Sequence, residues 1–190
     1  MQKHVPKPAT YDDLLRVPDH LVAEIVDGEL YANPRPAGPH ARATTALGII
    51  LGAAFDLNDR GWWFIDEPEL HLAEEVVVPD IAGWRRVRMP PVLDAPWYDL
   101  APAWVCEALS PGTARLDRFK KMPTYAREAV EFAWIIDATM RSLEAFRLER
   151  GQWVVIAQHT DDAIVRVEPF EEIEINLGKL WLPTPQPPRS

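Results

Sequence analysis

Ala103-Trp104-Val105-Cys106-Glu107-Ala108-Leu109-Ser110 decides how this chain folds. Residues 103–109 read as a buried strand, rich in apolar and strand-forming side chains, and Ser110-Pro111-Gly112-Thr113 then breaks it. One acid, Glu107, stands inside the run. A carboxylate there is costly to bury unless a cation answers it. Val78-Pro79-Asp80 repeats the pattern earlier in the chain, with Asp80 at the edge of a second apolar run. Two carboxylates on neighbouring strands suit a magnesium-dependent phosphodiesterase. Magnesium takes oxygen ligands, keeps several waters and needs only one or two carboxylates. The Ala108 carbonyl is a further candidate ligand. Cations follow closely in Asp117-Arg118-Phe119-Lys120-Lys121, where a lysine can orient water and stabilise charge on a phosphate.

Outward from these motifs the pattern is mixed α/β. Residues 1–9 are proline-rich and expected to be flexible. Thr10-Tyr11-Asp12-Asp13 opens a short helix by its capping pattern. Residues 22–32 form a hairpin through Asp27-Gly28, which Pro34 and Pro36 end. The main helix of the first half runs from Pro39 to about Asn58 by its apolar spacing. Strands follow at 62–65, 69–72 and 81–84, then a proline-rich loop over 87–101. A helix is expected over 115–127, with Pro123 disturbing its middle. A strand at 132–137 follows, then a hairpin of 143–148 and 153–156 through Arg150-Gly151. Weaker strands are expected at 165–167 and 173–175. This order predicts a sheet flanked by helices, with an extra N-terminal hairpin and extra C-terminal strands. One domain over residues 10–182 and a proline-rich tail over 183–190 are expected.

The 190 residues are 47% hydrophobic and 26% charged, enough to bury a sizeable core. Eight tryptophans serve either the core or an interface. Cys106 is the single cysteine, which excludes an intramolecular disulfide and a multi-cysteine zinc site; in its apolar run it reads as buried and inert. The first residues have no apolar signal region, and the stretch 43–55 is too short to span a membrane. A cytoplasmic protein is expected. The net charge of -9 disfavours loose DNA binding. Eight of the basic residues nevertheless cluster between Arg85 and Arg127, flanking the acidic motifs: Arg85, Arg86, Arg88, Arg115, Arg118, Lys120, Lys121 and Arg127.

Glu107-Ala108-Leu109-Ser110-Pro111, then Asp117-x-x-x-Lys121-x-x-x-Tyr125, then Val130 and Trp134-Ile135-Ile136-Asp137 resemble the Uma-two family of restriction-endonuclease-like proteins, formerly domain of unknown function 820. Glu24-Ile25-Val26-Asp27-Gly28-Glu29-Leu30, His40 and Val78-Pro79-Asp80 extend the resemblance over roughly residues 10–182. It implies membership of the PD-(D/E)XK nuclease superfamily, an α/β/α core, DNA as substrate and Mg2+ (or Mn2+) as cofactor. It maps Asp80 and Glu107 onto the motif acids. The superfamily lysine stands two residues after the second acid, where this chain has Leu109. Lys121, on the following helix, is the implied substitute. Asp117 shares its helix face, and Lys120 points elsewhere. Glu24 is similar to the family's N-terminal acid, either a site residue or a solvent-facing strand acid. His40 resembles a recurrent histidine that either contacts phosphate or serves the structure. Tyr125 either packs in the core or touches substrate. The family has glycine at Ala129 and an aromatic at Ala133, differences expected to affect packing.

Three functions remain open on this reading. The first is a magnesium-dependent endonuclease using Asp80, Glu107 and Lys121, with Glu24, His40, Asp117, Lys120 and Tyr125 around it. The second is an inactive binding or assembly protein on the same fold, favoured by the acidic charge, the tryptophans and the displaced lysine. The third is another two-carboxylate hydrolase such as a glycosidase, for which the lysine helix has no role. The aromatic content and proline loops lead to the expectation of a homodimer, which would let two sites address two strands.

Overall fold

The computed structural model describes residues 7–35, 38–89 and 96–183. Most of the proline-rich start, Pro36, Pro90, Pro91 and the tail from Thr184 lie outside the described residues.

Thr10 opens helix α1 (Tyr11–Leu14): its side chain accepts from the Asp13 N–H, and the Asp13 carboxylate takes the Thr10 N–H in return. Strands β1 (Leu21–Val26) and β2 (Glu29–Pro34) join through Asp27 and Gly28, both at positive φ (52° and 73°), as a two-residue hairpin turn requires. Helix α2 (Gly38–Leu51) runs on into a π turn over Gly52–Asp56, close to the expected end. Then come β3 (Trp62–Asp66), β4 (Leu70–Leu72), β5 (Glu75–Val77), β6 (Ile81–Arg85) and β7 (Trp104–Ala108). Helix α3 (Ala114–Leu116), a π turn over Asp117–Lys121 and helix α4 (Met122–Arg127) form one rod. The chain closes with β8 (Phe132–Asp137), β9 (Ser142–Glu149), β10 (Gln152–Thr160), β11 (Ile164–Val165), β12 (Ile175–Asn176) and a 3-10 turn at Leu177–Lys179.

The central sheet has the order β10-β9-β8-β7-β6-β3. It is mostly antiparallel; β7 and β8 pair in parallel, and the helical rod makes the crossover such a pair needs. The N-terminal hairpin belongs to a second sheet, β2-β1-β5-β4. Two local expectations are corrected. Strand β5 was not expected, because a three-residue strand between turns has too little pattern. Pro123 lies inside the rod just after the π turn over Asp117–Lys121, so the middle of this helix is irregular where the proline predicts. Near the C-terminus only Ile164–Val165 and Ile175–Asn176 pair.

Period-two alternation along β7 divides the core. On one face Trp104, Cys106 and Ala108 pack with Trp134, Trp62, Phe170 and the Leu47, Leu51 and Phe55 side of α2 and its π turn. On the other, Val105 and Leu109 pack with Trp84, Ile135, Leu116 and Met122, and with Val26 and Val77 of the second sheet. Trp62, Trp84, Trp104 and Trp134 are almost completely buried, so these tryptophans are core. Ala129 ends α4 at φ 57°, with the Val130 N–H reaching back to the Tyr125 carbonyl. That left-handed cap favours glycine, so the departure at Ala129 strains the backbone of an exposed residue and does not alter packing. Among the described residues no helix is long and apolar enough to cross a membrane.

Candidate active site

The site forms where β6 stops short of β7. Ile81 pairs with Cys106, so the N–H of Ala108 projects past the start of β6. The Asp80 carboxylate takes the place of the missing strand: its Oδ2 accepts that N–H at 2.7 Å. The same edge of β7 carries the Ala108 carbonyl, since the N–H and C=O of a strand residue point the same way. His40, in the first turn of α2, sets Nε2 2.6 Å from Asp80 Oδ1. With a carboxylate accepting, Nε2 carries the proton. His40 Nδ1 is buried and has no hydrogen-bond partner.

Glu107 points to the opposite face of β7 from Cys106. Tyr125 donates to its Oε1 at 2.5 Å. Lys121 Nζ lies 3.0 Å from Oε1 and 3.1 Å from Oε2. The same ammonium pairs with Glu24 Oε1 at 2.9 Å and donates to the Val78 carbonyl at 2.8 Å. Glu24 in turn accepts the Val78 N–H at 2.8 Å. Asp117 Oδ1 is 3.8 Å from Nζ. Four residues apart, Asp117 and Lys121 share the inward face of the rod while Phe119 looks out; within this stretch the Met122 N–H reaches back five residues to the Asp117 carbonyl, a π turn.

Glu24, Glu107, Asp117 and Lys121 are all at most 3% exposed. Three acids therefore share one ammonium in a dry place. Burial pushes the Glu107 carboxyl well above the usual carboxylate range, against the pull of Lys121. Burial likewise raises Asp117, to about 6, again against Lys121. For Lys121 burial opposes the charge, but Glu107 and Glu24 outweigh it and hold the ammonium well above its ordinary value. Burial and then Glu107 push the Tyr125 hydroxyl up.

Glu24, His40, Asp80, Glu107, Asp117 and Lys121 line one cleft of about 50 Å³, room for a few waters. The structure thus gathers these six sequence candidates, and Ala108 joins through Asp80. Two candidates stand apart. Lys120 is turned away and pairs with Asp27 at 2.9 Å. Tyr125 is completely buried behind Glu107 and cannot line a surface for substrate. The basic cluster also divides. Arg85 stacks over Trp62 at 3.9 Å, Arg86 binds Asp56 and Asp59, and Arg88 binds Glu131, all beyond the far end of β6. Leu109 is core, so no lysine could serve from that position without leaving it.

Asn33, Glu67, Ser110 and Thr113 also line the cleft and were not expected there. Ser110 and Thr113 carry a signal in the turn after β7, where their hydroxyls lie 3.0 Å apart. The Val78 backbone, bonded to both Glu24 and Lys121, leaves no mark in residue types.

Apart from the His40 imidazole, the candidate ligand atoms of the cleft are oxygens, and the acids outnumber the cations around them. This chemistry fits a hard divalent cation, with Asp80 and Glu107 as carboxylate ligands and the Ala108 carbonyl nearby. Among the described residues no three acidic, histidine or cysteine side chains group to hold a metal ion.

Residues 8–178 match the model of the Uma2 family, described as "Putative restriction endonuclease". Among solved structures, the chain is similar to the "Crystal structure of a putative nuclease belonging to DUF820 from Anabaena variabilis ATCC 29413". The TM-score is 0.75 at 22% sequence identity, covering 91% of this chain and 97% of that one, a likeness of fold. No curated protein sequence matches it.

Proposed function

Because the chain belongs to the Uma2 family of restriction-endonuclease-like proteins, we propose that it is a magnesium- or manganese-dependent endodeoxyribonuclease acting at the Asp80–Glu107 cleft. The observation that carries this reading is the Lys121 ammonium, brought from the helical rod to within 3.1 Å of both Glu107 oxygens although the strand offers only Leu109.

Asp80 and Glu107 would hold the metal, with the Ala108 carbonyl as a further ligand. When bound, a divalent cation supplies positive charge to the phosphate and lowers the pKa of water. Asp80 is fixed for its task by bonds to both oxygens, from Ala108 N–H and His40. Lys121 stays protonated, so it does not take the proton of the attacking water. It orients that water and neutralises charge gathering on the phosphate as the water oxygen bonds phosphorus and one ester P–O bond breaks, the water's proton reaching the leaving oxygen through solvent. Its ammonium donates to Glu107 and the Val78 carbonyl and pairs with Glu24, which the Val78 N–H holds from behind. Tyr125 keeps Glu107 in place.

One observation favours an inactive binding protein instead: Lys121 already satisfies Glu24 and Glu107 as an internal ion pair. Plasmid cleavage with Mg2+ or Mn2+ separates the two. Nicking by the native chain, absent in Asp80→Ala and Glu107→Ala, supports the nuclease. Equal cleavage by all three would sink it, and no divalent-ion binding at millimolar concentration by calorimetry would favour the binding protein.

A further inference from the structure

Beyond the cleft, strand β2 and the helical rod enclose an open groove of about 890 Å³. Asn33 lines both spaces, and Ser110 and Thr113 of the cleft flank Gly112 of the groove in the turn that leads into Ala114. The floor and walls are mainly apolar, with Tyr31 on one side and Leu116 on the other. Phe119 stands in it 70% exposed, although a ring of that size is normally covered. Arg115 is exposed and has no ion-pair partner among the described residues. Arg118 and Lys120 also line the groove, in half-exposed pairs with Glu144 and Asp27. Such pairs contribute little, so both cations can turn to a phosphate at small loss.

We propose that this groove seats an unpaired nucleic-acid strand leading into the carboxylate cleft. An exposed phenyl ring beside cations offers a base a face to stack on and its phosphate a counter-charge. In a duplex those faces are hidden. A net charge of -9 disfavours a loose duplex grip, and among the described residues Arg85, Arg86 and Arg88 lie away from the groove. As a statement about substrate this rests on the nuclease reading; as a statement about binding it does not.

The test is fluorescence anisotropy in EDTA, with a labelled oligodeoxythymidylate and a labelled hairpin duplex. The native chain and Asp80→Ala should both bind the single strand more tightly than the duplex. Phe119→Ala should weaken the single strand about tenfold and leave the duplex unchanged. Arg115→Ala should weaken both and flatten the salt dependence by about one phosphate. Duplex binding at least as tight as single-strand binding, or no effect of Phe119→Ala, overturns the proposal. So does a dimer that Phe119→Ala splits in sedimentation, because the groove would then hold a second copy. Binding as expected without cleavage in Mg2+ would defeat the nuclease reading and leave the groove standing. Cleavage that ignores Phe119 and Arg115 would do the reverse.

Discussion

Cys106 and Glu107 are neighbours on one strand, both essentially removed from solvent, and they face opposite sides of the same sheet. Burial raises the pKa of each. The thiol stays neutral on the α2 face, among Trp104, Trp134 and Leu47, and has nothing to act on. The carboxyl meets Lys121 and Tyr125 on the helical-rod face, at the mouth of a cleft. Burial is shared; partners are not. One face is held mainly by apolar packing, with indole N–H bonds from Trp134 and Trp181 to backbone carbonyls, and the other carries a charge network whose members came from four separate segments. A buried acid is therefore informative where a buried cysteine is not, because an acid stays buried only if the fold supplies an answer to its charge.

The sharpest way to break this contrast is activity. Glu107→Ala should abolish plasmid cleavage in Mg2+, while Cys106→Ala should leave it unchanged, measured side by side on supercoiled DNA. Residual cleavage by the first, or its loss in the second, would erase the distinction between the faces. Stability comes next. Lys121→Met leaves Glu24 and Glu107 without their cation and should cost about 3–5 kcal/mol in urea denaturation. A loss below about 1 kcal/mol would mean that the charged face is as indifferent as the apolar one.

The charged face should also respond to pH. Asp117 is raised to about 6 from 3.8, so folding is easiest while it is protonated. The folded chain binds more protons than the unfolded one between these values, so this group lowers stability as pH climbs from about 4 to about 6. In EDTA the native chain should lose stability relative to Asp117→Asn across that window; a constant difference would show that the carboxyl is not strained by burial. The smallest expected effect lies away from both faces. Ala129→Gly should stabilise by about 0.5–1 kcal/mol, through the left-handed cap, and leave cleavage alone. A thermal shift downward would contradict that reading of its backbone.

Much of this was legible in residue order. Asp27-Gly28 and Arg150-Gly151 announce their turns because positive φ is a local demand, met at 51° and 77° in the second pair. Thr10 and Asp13 announce a helix start for the same reason. Strand β7 is legible from its own side chains, and so are Asp80 and Glu107, since an acid in an apolar run is visible without coordinates. Strand β5 was not legible, because three residues become a strand only when β1 and β4 flank them. The π turn was not legible either, although the shared face of Asp117 and Lys121 was, from their four-residue spacing. The glycine preference at Ala129 could be noted from the family pattern, but its cause lay in the backbone.

The sequence by itself determined the local elements and the acids, because turn, cap and strand preferences are settled between chain neighbours. Only the tertiary structure decided what those acids meet. Lys121 and Tyr125 arrive at Glu107 from the rod, Glu24 arrives at Lys121 from the hairpin, and His40 arrives at Asp80 from α2. The energy of a buried charge depends on groups brought from distant segments, and no local pattern records that distance.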